Sequence, residues 1–396
     1  MTAAGTTRNG NVGSISGAII IARYGEVHLK GGNRAMFLNA LTRNLRARLG
    51  EMGAVALRDG RYIIDNFDPK NTDEILQITA NTFGITSASP VTVISHAEIL
   101  KHMGQIRLGS ADGDAGVGGR STTSFRVNVN RADKKFPHTS MEFAAICGGA
   151  ILDANPNARV DLHNPDIIIN ADIRENDRAF IYDRVIAGVG GMPYGTAGRA
   201  LLCISGGIDS PVAGWLSAKR GLAIDCVHFS SPPYTSAKAF DKVKRICAQM
   251  ENYCGKINLV EINFTDIMQE IKKKCHPAYT ITIMRREMMR VCAEMCRTHR
   301  YDCIVTGENL GQVASQTIAG ITTTNAAAGD VPILRPLIMY DKNEIVALAR
   351  RIGTYDISIE PHEDCCSVFV PDSPVINPTI NFCEKEELKL DKYKKA

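Results

Sequence analysis

The sequence predicts a mixed α/β and α+β protein in which a doubly wound parallel sheet follows smaller α+β units. From residue 201 onward, short apolar runs alternate with longer amphipathic segments, a pattern typical of a parallel sheet covered by helices. Before that point strands and helices follow each other without this rhythm. A glycine-dense stretch, 188–198, separates the two parts as a linker. At 396 residues the chain is long enough for two or three domains.

Composition narrows the functional class. The net charge is only +4, so a surface for nucleic acid must be a local patch. Twelve cysteines without a signal peptide predict free thiols in a reducing compartment, and we expect a cytoplasmic protein. No apolar run approaches the roughly 20 residues that cross a bilayer, so no membrane partner is expected. The first 17 residues have the composition of a flexible tail.

The first α+β unit begins with a short β-like run. Its predicted elements are a strand, a helix with apolar residues at helical spacing, a second strand and a second helix: Ala18–Arg23, Asn33–Leu49, Arg61–Asp65 and Thr72–Ala80. The polar face of the longer helix is rich in arginine. Such a face is usually only solvated, although it is also suited to RNA.

The second α+β unit contains the clearest alternating strand. A glycine-rich segment, 109–120, predicts a mobile loop before it. The predicted elements are Ser124–Asn130, Ser140–Ala154, Asp166–Arg174 and Ala179–Arg184. The turn 131–136 places basic side chains beside Phe136, which suits phosphate contacts and base stacking; the alternative is a solvated hairpin tip. The basic residues that we assign to RNA across both units are Arg23, Lys30, Arg34, Arg126, Arg131, Lys134 and Lys135.

The C-terminal part reads as alternating strands and helices. The strands are Leu201–Ser205, Ala223–Phe229, Ile257–Phe264 and Asp302–Thr306, and the helices are Pro211–Arg220, Ser236–Tyr253, Ile281–His299 and Asp341–Arg351. Ligands of such sheets bind at the carboxyl ends of the strands. The loop after residue 204, the pair His228-Phe229 and the pair Gly307-Glu308 all follow strands. We therefore expect them to converge on one site.

The most informative motif is Ser205-Gly206-Gly207-Ile208-Asp209-Ser210, between a strand and a helix. A tight glycine turn at a helix N-terminus gathers backbone N–H groups, and the two serines add hydroxyls, which favours phosphate binding. The loop lacks the spacing and lysine of a Walker A loop. It matches the PP-loop of ATP pyrophosphatases, which hold the diphosphate of ATP and pass AMP to an acceptor; the alternative is an ordinary strand-to-helix turn.

With further motifs in view, the chain resembles the tRNA 4-thiouridine synthetases over residues 18–378. These motifs are the strand end 227–234, the block Thr306–Thr317, the run Pro332–Leu337 and the block Glu363–Phe369. The resemblance implies a ferredoxin-like domain over 18–72, a THUMP RNA-binding domain over 73–185 and a PP-loop domain over 186–380. It leaves a tail over 1–17 and a charged tail over 381–396. It also implies tRNA as substrate and a homodimer.

The resemblance carries over specific residues. It implies an ATP site built from the PP-loop and the residues Cys203, Ile204, Ser205, Gly206, Gly207, Asp209, Ser210, His228, Phe229, Arg285, Gly307 and Gln316. Arg285 suits phosphate charge, with a surface helix position as the alternative. Asp209 would handle Mg²⁺ that accompanies ATP, or cap the following helix. Lys342 matches a lysine near the transferred nucleotide, unless it is merely a solvated helix residue.

The resemblance assigns the sulfur to Cys366 as a persulfide, where burial as a small hydrophobe is the alternative. Cys365 and Cys226 are guesses for a thiol that resolves the persulfide. The chain resembles a short form without the rhodanese domain, so a separate donor such as a cysteine desulfurase is expected and a role in thiazole biosynthesis is not. The spacing Cys292-x-x-x-Cys296 and the apolar residues around it favour helix packing over an iron–sulfur cluster.

The function that follows is an ATP-dependent sulfurtransferase, which adenylates the C4 oxygen of a uridine in tRNA and replaces it with sulfur. Two alternatives stay open. One is another PP-loop ligase that modifies RNA and delivers ammonia, and the other is an RNA-binding module that only senses ATP.

Overall fold

The computed structural model describes residues 19–109, 123–361, 371 and 373–391. Its contacts divide the chain into two compact units. The first contains the chain up to Gly25, Leu45–Asn81 and Ile85–Gly190, and the second contains Glu26–Asn44, Thr82–Gly84 and the chain from Gly191 onward. The predicted mobile loop and tail at 109–120 and 1–17 lie almost wholly outside the described residues.

The elements up to residue 190 are, in chain order, β1 Ile19–Tyr24, α1 Arg34–Leu49, β2 Ala54–Arg58, β3 Arg61–Asp65, α2 Thr72–Ala80, β4 Ile85–Ile94, α3 Ile99–Met103, β5 Ser124–Arg131, α4 Ser140–Ala154, β6 Arg159–Val160, β7 Ile167–Arg174, β8 Arg178–Tyr182 and β9 Ile186–Ala187. The strands form one nine-stranded sheet of order β2-β3-β1-β4-β8-β7-β5-β6, with β9 paired to β4.

Strand β4 is the element that joins this sheet, and the sequence did not predict it. Its Ser-Ala-Ser-Pro centre breaks the alternation that marks a half-buried strand. In the structure β4 is ten residues long and pairs antiparallel with β1 on one edge and with β8 on the other. One long strand therefore serves both α+β parts. Buried Phe125, Phe143, Ile151 and Ile169 belong to the core beneath β5 and β7.

The elements of the second unit after residue 190 are β10 Arg199–Cys203, α5 Asp209–Lys219, β11 Ala223–Ser230, α6 Ala237–Cys254, β12 Leu259–Asn263, α7 Thr265–Lys274, α8 Thr280–His299, β13 Cys303–Val305, α9 Ile318–Ala328, β14 Ile333–Leu334, α10 Lys342–Ile352, α11 Tyr355–Ser358 and α12 Ile380–Glu387. The five strands are parallel in the order β12-β11-β10-β13-β14. The predicted doubly wound sheet is confirmed.

The order of these strands reverses direction at β10. From β10 the chain moves outward through β11 to β12, and it then crosses back to β13 and β14 on the other side. The crevice outside the carboxyl ends of β10 and β13 is thus the topological switch point, where open α/β sheets bind ligands. The loop Ser205–Ser210 begins directly at this crevice.

The predicted charged tail is wrong from its first residues, because α12 is a packed helix. Cys383 and Glu387 on α12 are buried. Glu387 accepts hydrogen bonds from Arg286 Nε at 2.5 Å and Arg290 Nη2 at 2.6 Å. Composition predicts a charged tail here because it does not show that α8 carries two arginines that pair with this segment. Among the described helices, none is long and apolar enough to cross a membrane.

Candidate active site

A cavity of about 250 Å³ lies at the switch point. Its walls come from the carboxyl ends of β10, β11 and β13 and from α8. The sequence-predicted residues that line it are Cys203, Ile204, Ser205, Gly207, Asp209, Ser210, His228, Phe229, Arg285, Gly307 and Gln316. Gly206 lies in the same loop without being among the lining residues. Segments that are separated by up to about a hundred residues in sequence therefore share one surface.

The Ser205–Ser210 loop is held by its own side chains. Ser210 Oγ accepts from the Ser205 amide at 2.9 Å, and the two hydroxyls lie 3.1 Å apart. The Gly207 amide donates to Ser205 Oγ at 3.2 Å. The serines thus shape the loop as well as facing the cavity. Helix α5 starts here with Ile208 as its N-cap and without a side-chain cap, so the positive end of the helix points into the crevice.

Gly307 is required by close packing at the same place. A Cβ at Gly307 would lie 2.7 Å from the Ser210 amide nitrogen and 2.8 Å from Ser210 Cα. The first turn of α5 therefore rests directly on the backbone that follows β13. The contact that forbids a side chain at Gly307 is therefore with α5.

The side of the cavity away from the loop is apolar. His228 is buried, with Nδ1 3.0 Å from the Ile204 carbonyl oxygen, and its ring stacks on Phe240. Phe229 packs edge-on against Phe264 at 5.4 Å between ring centroids. Met288 and Met289 complete this wall. An aromatic and thioether surface of this kind suits a flat purine base.

Arg285 enters the cavity from α8 and does not lie on an exposed helix surface. Its side chain is 19% exposed, its Nη1 donates to Ser315 Oγ at 3.1 Å, and its Nη2 donates to Glu308 Oε1. Glu308 also accepts from Arg335 Nε at 2.7 Å. Burial alone would raise the pKa of Glu308, but the charges of Arg285 and Arg335 outweigh it and lower that pKa.

Asp209 and Lys342 meet at the edge of the cavity. Lys342 is the first residue of α10, whose N-cap Asp341 forms a capping box with Glu344. Its Nζ lies 2.5 Å from Asp209 Oδ1, and Gln312 Nε2 donates to Asp209 Oδ2 at 2.9 Å. The alternative role of Asp209 as a helix cap is wrong, because Ile208 occupies the cap position.

The cysteines fall into two groups. None of the ten described cysteines forms a disulfide. Nine of them are buried, whereas Cys203 is partly exposed at the cavity. Cys226, one guess for a resolving thiol, is wrong for that role because it is fully buried on β11 and its pKa is raised by a hydrogen bond with Cys247 and by burial. Cys292 and Cys296 pack in the hydrophobic cluster of α8, and burial raises the pKa of Cys296 to about 12.

Metal ligands do not cluster in the described residues: no group of three or more His, Cys, Asp or Glu side chains there could hold an ion. Asp209 offers a carboxylate within the phosphate-binding loop. Magnesium typically takes one or two carboxylates together with substrate phosphates. The residues present therefore fit Mg²⁺ that arrives with ATP.

Cys366 and Cys365 lie outside the described residues, but the chain on both sides is anchored. Before them, Glu360 accepts from both terminal nitrogens of Arg245 at 2.7 Å, and its carbonyl accepts from Lys242 Nζ. After them, the Val375 amide donates to the Ala278 carbonyl at 2.9 Å. These anchors belong to the unit that contains the cavity.

The residues predicted to bind RNA are divided between the two units. Lys30 and Arg34 belong to the second unit, and the other five belong to the first. Arg131 donates to the carbonyls of Phe136 and His138, so it shapes the turn. Phe136 is 8% exposed and packs on Phe143, so the predicted base-stacking role of this ring is wrong. Lys134 and Lys135 are exposed.

Sequence reasoning missed several residues of the cavity and its support. Thr306 lines the cavity before Gly307, and the rule that strand ends carry the site could have found it. Glu308 was expected at the site as part of the Gly307-Glu308 pair, but without a role of its own. Thr324 and Arg335 gave no such signal, since α9 and β14 were not predicted.

Comparison with known proteins covers almost the whole chain. A ferredoxin-like domain model (ThiI_fer) matches residues 19–89, a THUMP domain model 115–182 and the thiamine biosynthesis protein (ThiI) model 195–391. A relative from Thermoanaerobacter sp. (strain X514), named "Probable tRNA sulfurtransferase", is 41% identical, with 95% of this chain and 96% of that protein covered. Another of the same name from Acetivibrio thermocellus is 42% identical, with 94% of each covered.

A solved structure agrees in fold. The crystal structure of a 4-thiouridine synthetase–RNA complex with bound ATP superposes with a TM-score of 0.82 at 33% identity, covering 95% of each chain.

Fold and cavity together define an enzyme in which a PP-loop ATP pyrophosphatase domain follows a ferredoxin-like and a THUMP domain along the chain. The identity over nearly the full length narrows this class: the chain belongs to the ThiI family of tRNA sulfurtransferases.

Proposed function

We propose that this chain replaces the C4 oxygen of a uridine in tRNA with sulfur, consuming ATP and releasing AMP and diphosphate. Its family transfers sulfur to tRNA, and the related 4-thiouridine synthetase binds both ATP and RNA. One observation supports this function above the others. The PP-loop, the apolar wall and Arg285 face a single cavity, although they come from separate strands and from α8.

The chemistry explains why such a cavity is needed. The oxygen at C4 of uracil leaves poorly, so adenylation converts it into part of an AMP leaving group. The loop amides and the α5 N-terminus would hold the phosphates, and Arg285 adds a fixed positive charge. The wall around Phe229 and Met288 would hold the adenine. Preorganised donors of this kind stabilise charge that develops on the diphosphate.

Asp209 and Lys342 are the proposed polar catalytic pair. Asp209 would hold Mg²⁺ that arrives with ATP, and such an ion would supply positive charge to the departing diphosphate. Lys342 lies beside it and would contact the nucleotide phosphate. Their direct contact keeps the ammonium at the cavity edge before the substrate binds.

Cys366 is the proposed sulfur carrier. The outer sulfur of a Cys366 persulfide would attack C4 and displace AMP, which leaves the tRNA linked through a disulfide. A second thiol, for which Cys365 is one candidate, then attacks the Cys366 sulfur, breaks the S–S bond and releases 4-thiouridine. This leaves a disulfide between the second thiol and Cys366, which a dithiol reductant must open before Cys366 is reloaded. The persulfide would be reloaded by a cysteine desulfurase or another persulfide donor.

The remaining assignments rest on the family and on composition. We infer that tRNA contacts come from exposed basic residues such as Lys134 and Lys135, and that Lys30, Arg34, Arg23 and Arg126 contribute. We also infer a homodimer that works in the cytoplasm. An iron–sulfur cluster is not part of the proposal, because Cys292 and Cys296 are used in packing.

The test separates adenylation from sulfur transfer. Wild type, Cys366→Ser and Cys365→Ser are incubated with ATP, Mg²⁺, a persulfide source and unmodified tRNA, and AMP and 4-thiouridine are measured. We expect Cys366→Ser to form AMP without 4-thiouridine. Cys365→Ser should release 4-thiouridine only when an added dithiol replaces its thiol in cleaving the S–S bond. Full thiolation by Cys366→Ser would refute the carrier assignment. AMP without thiolation in the wild type would indicate another RNA ligase, and tRNA binding with neither product would indicate an ATP sensor.

A further inference from the structure

Glu308 is a buried carboxylate in the wall of the cavity whose two oxygens are both engaged. Its side chain is 5% exposed. Oε1 accepts from Arg285 Nη2, whereas Oε2 accepts from Arg335 Nε at 2.7 Å and from Thr306 Oγ1 at 2.7 Å. One carboxylate thus binds two arginines and a hydroxyl, and it joins α8, the end of β13 and the segment after β14.

The two arginines differ in what they can still do. Arg335 is 8% exposed, and it also donates to Asn325 Oδ1 at 2.9 Å, so its contacts lie within the protein wall. Arg285 lines the cavity, and its described hydrogen bonds use only Nη1 and Nη2. A guanidinium carries five N–H donors, so Arg285 retains donors that a ligand in the cavity can accept.

Charge explains why Glu308 itself has no direct chemical role. The two arginines lower its pKa despite burial, so the group stays ionised and neither gives nor takes a proton near neutral pH. Its oxygens already accept three hydrogen bonds and offer little to a metal ion. Two guanidinium groups and one carboxylate together carry one net positive charge. Of the two arginines, Arg285 lines the cavity, so the positive charge that faces a ligand is at Arg285.

We propose that Glu308, supported by Arg335, is a positioning residue that aims the Arg285 guanidinium at the phosphates of bound ATP. The proposal rests on the ATP site described above. A free arginine side chain samples many rotamers, and fixing it in advance removes that cost from nucleotide binding. Arg335 is needed because an isolated Arg285–Glu308 pair would cancel its own charge.

A double-mutant cycle tests this role in the full-length protein with ATP, tRNA and a persulfide source. Glu308→Gln removes the charge at nearly constant shape, and Arg285→Ala removes the aimed group. We expect either change to raise the KM for ATP by roughly tenfold to 100-fold, as expected for one lost charged hydrogen bond, with the KM for tRNA unchanged. In the Arg285→Ala background, Glu308→Gln should add less than about threefold.

Glu287→Gln is the matched control, because Glu287 is a fully buried carboxylate on α8 that pairs with Arg290. It should lower thermal stability and leave the KM for ATP unchanged. If Glu308→Gln does not fold, Arg335→Lys serves instead, since it keeps the charge but loses the planar fork. Because Arg335 is not among the cavity-lining residues, we expect a several-fold rise in the KM for ATP that vanishes in the Arg285→Ala background.

The outcomes separate the inference from the proposed function. The positioning role would be overturned if the fold-changes in the KM for ATP from Glu308→Gln and Arg285→Ala multiply in the double variant. It would also be overturned if Glu308→Gln, or Arg335→Lys in its place, leaves the KM for ATP unchanged. If Arg285→Ala itself leaves the KM for ATP unchanged, the proposed ATP site fails and the inference fails with it.

Discussion

Lys342 and Asp209 form a direct ion pair between the first residues of two helices, with 2.5 Å between Nζ and Oδ1. Asp209 begins α5 and Lys342 begins α10, so two helix N-termini meet at the edge of one cavity. Asp209 lines the cavity where the triphosphate is proposed to bind, and the Lys342 ammonium is held beside it. This arrangement attracts a polyanion and leaves an acidic group for its cation.

Replacement of Lys342 tests that arrangement. We expect Lys342→Met to slow AMP formation in a single turnover by roughly 10²-fold or more, the typical cost of one lost group that stabilises developing charge. Binding of tRNA should not change. Lys342→Arg should restore part of the rate because it keeps the charge. A Lys342→Met enzyme that forms AMP at the wild-type rate would contradict the assignment.

The packing of Gly307 predicts a loss of ATP affinity from one methyl group. Gly307→Ala places a Cβ less than 3 Å from the Ser210 backbone, so the first turn of α5 must shift. We expect the Kd for ATP, measured by calorimetry, to rise at least tenfold, because a shift of this turn costs at least one hydrogen bond to a phosphate.

The control for this change is Gly149→Ala, where nothing lies within 4 Å of the added Cβ in helix α4. It should raise stability by about 0.5–1 kcal/mol, because alanine is the better helix former. Equal ATP affinity for Gly307→Ala and wild type would show that the α5 turn does not bind the nucleotide.

Cys203 provides a chemical probe of the same cavity. It is partly exposed, whereas the other nine described cysteines are buried. In a Cys365→Ser/Cys366→Ser background we expect iodoacetamide to modify Cys203 first, and ATP to slow this reaction at least tenfold if the site is mostly occupied. Peptide mass spectrometry checks the position. Cys203→Ser should abolish the ATP-sensitive fraction, and equal labelling with and without ATP would place the nucleotide elsewhere.

Glu387 makes stability depend on pH. Burial would raise the pKa of Glu387, but its hydrogen bonds from Arg286 and Arg290 lower it below the ordinary 4.5. A carboxyl whose pKa falls on folding contributes stability that is complete above 4.5 and lost as the pH drops through the folded value. Glu387→Gln should therefore cost about 3–5 kcal/mol at pH 7, because it removes the buried carboxylate that pairs with Arg286, and progressively less below pH 4.5.

The single tryptophan reports this unfolding, since Trp215 is buried in the same unit on α5. Urea titrations of its fluorescence at pH 7 and pH 4 give the two costs. Glu384→Gln is the matched control on the same helix, because Glu384 is 57% exposed and lies 4.0 Å from Arg286. It should cost under about 1 kcal/mol. A pH-independent cost for Glu387→Gln would contradict this account.

Much of the fold was predictable because local pattern and tertiary role agree. Helices Thr72–Ala80 and Ser140–Ala154 and strand Arg61–Asp65 were predicted with their observed ends. Strand β4 was not predicted, because its pairing on both edges, and not an alternation in its own sequence, makes it a strand. Helix α12 was not predicted, because its glutamates pair with arginines that lie about a hundred residues away in the sequence.

The site divides in the same way. The rule that ligands bind at strand ends correctly predicted that the loop at Ser205, the pair His228-Phe229 and Gly307 lie at one site. Roles that depend on side-chain direction could not be read from spacing. Arg131 and Phe136 turned inward to build a turn, and Cys226 is buried. Glu308 was expected at the site as part of the Gly307-Glu308 pair, yet only its three partners show what it does.

The most direct test of the central claim is the ratio of products in one turnover. Enzyme loaded with persulfide is mixed with ATP and unmodified tRNA, and AMP, ADP and 4-thiouridine are counted after a rapid quench. Our account predicts one AMP for each 4-thiouridine and no ADP, because ATP is cleaved between its α- and β-phosphates to activate the C4 oxygen. Thiolation accompanied by ADP, or by no change in ATP, would contradict it.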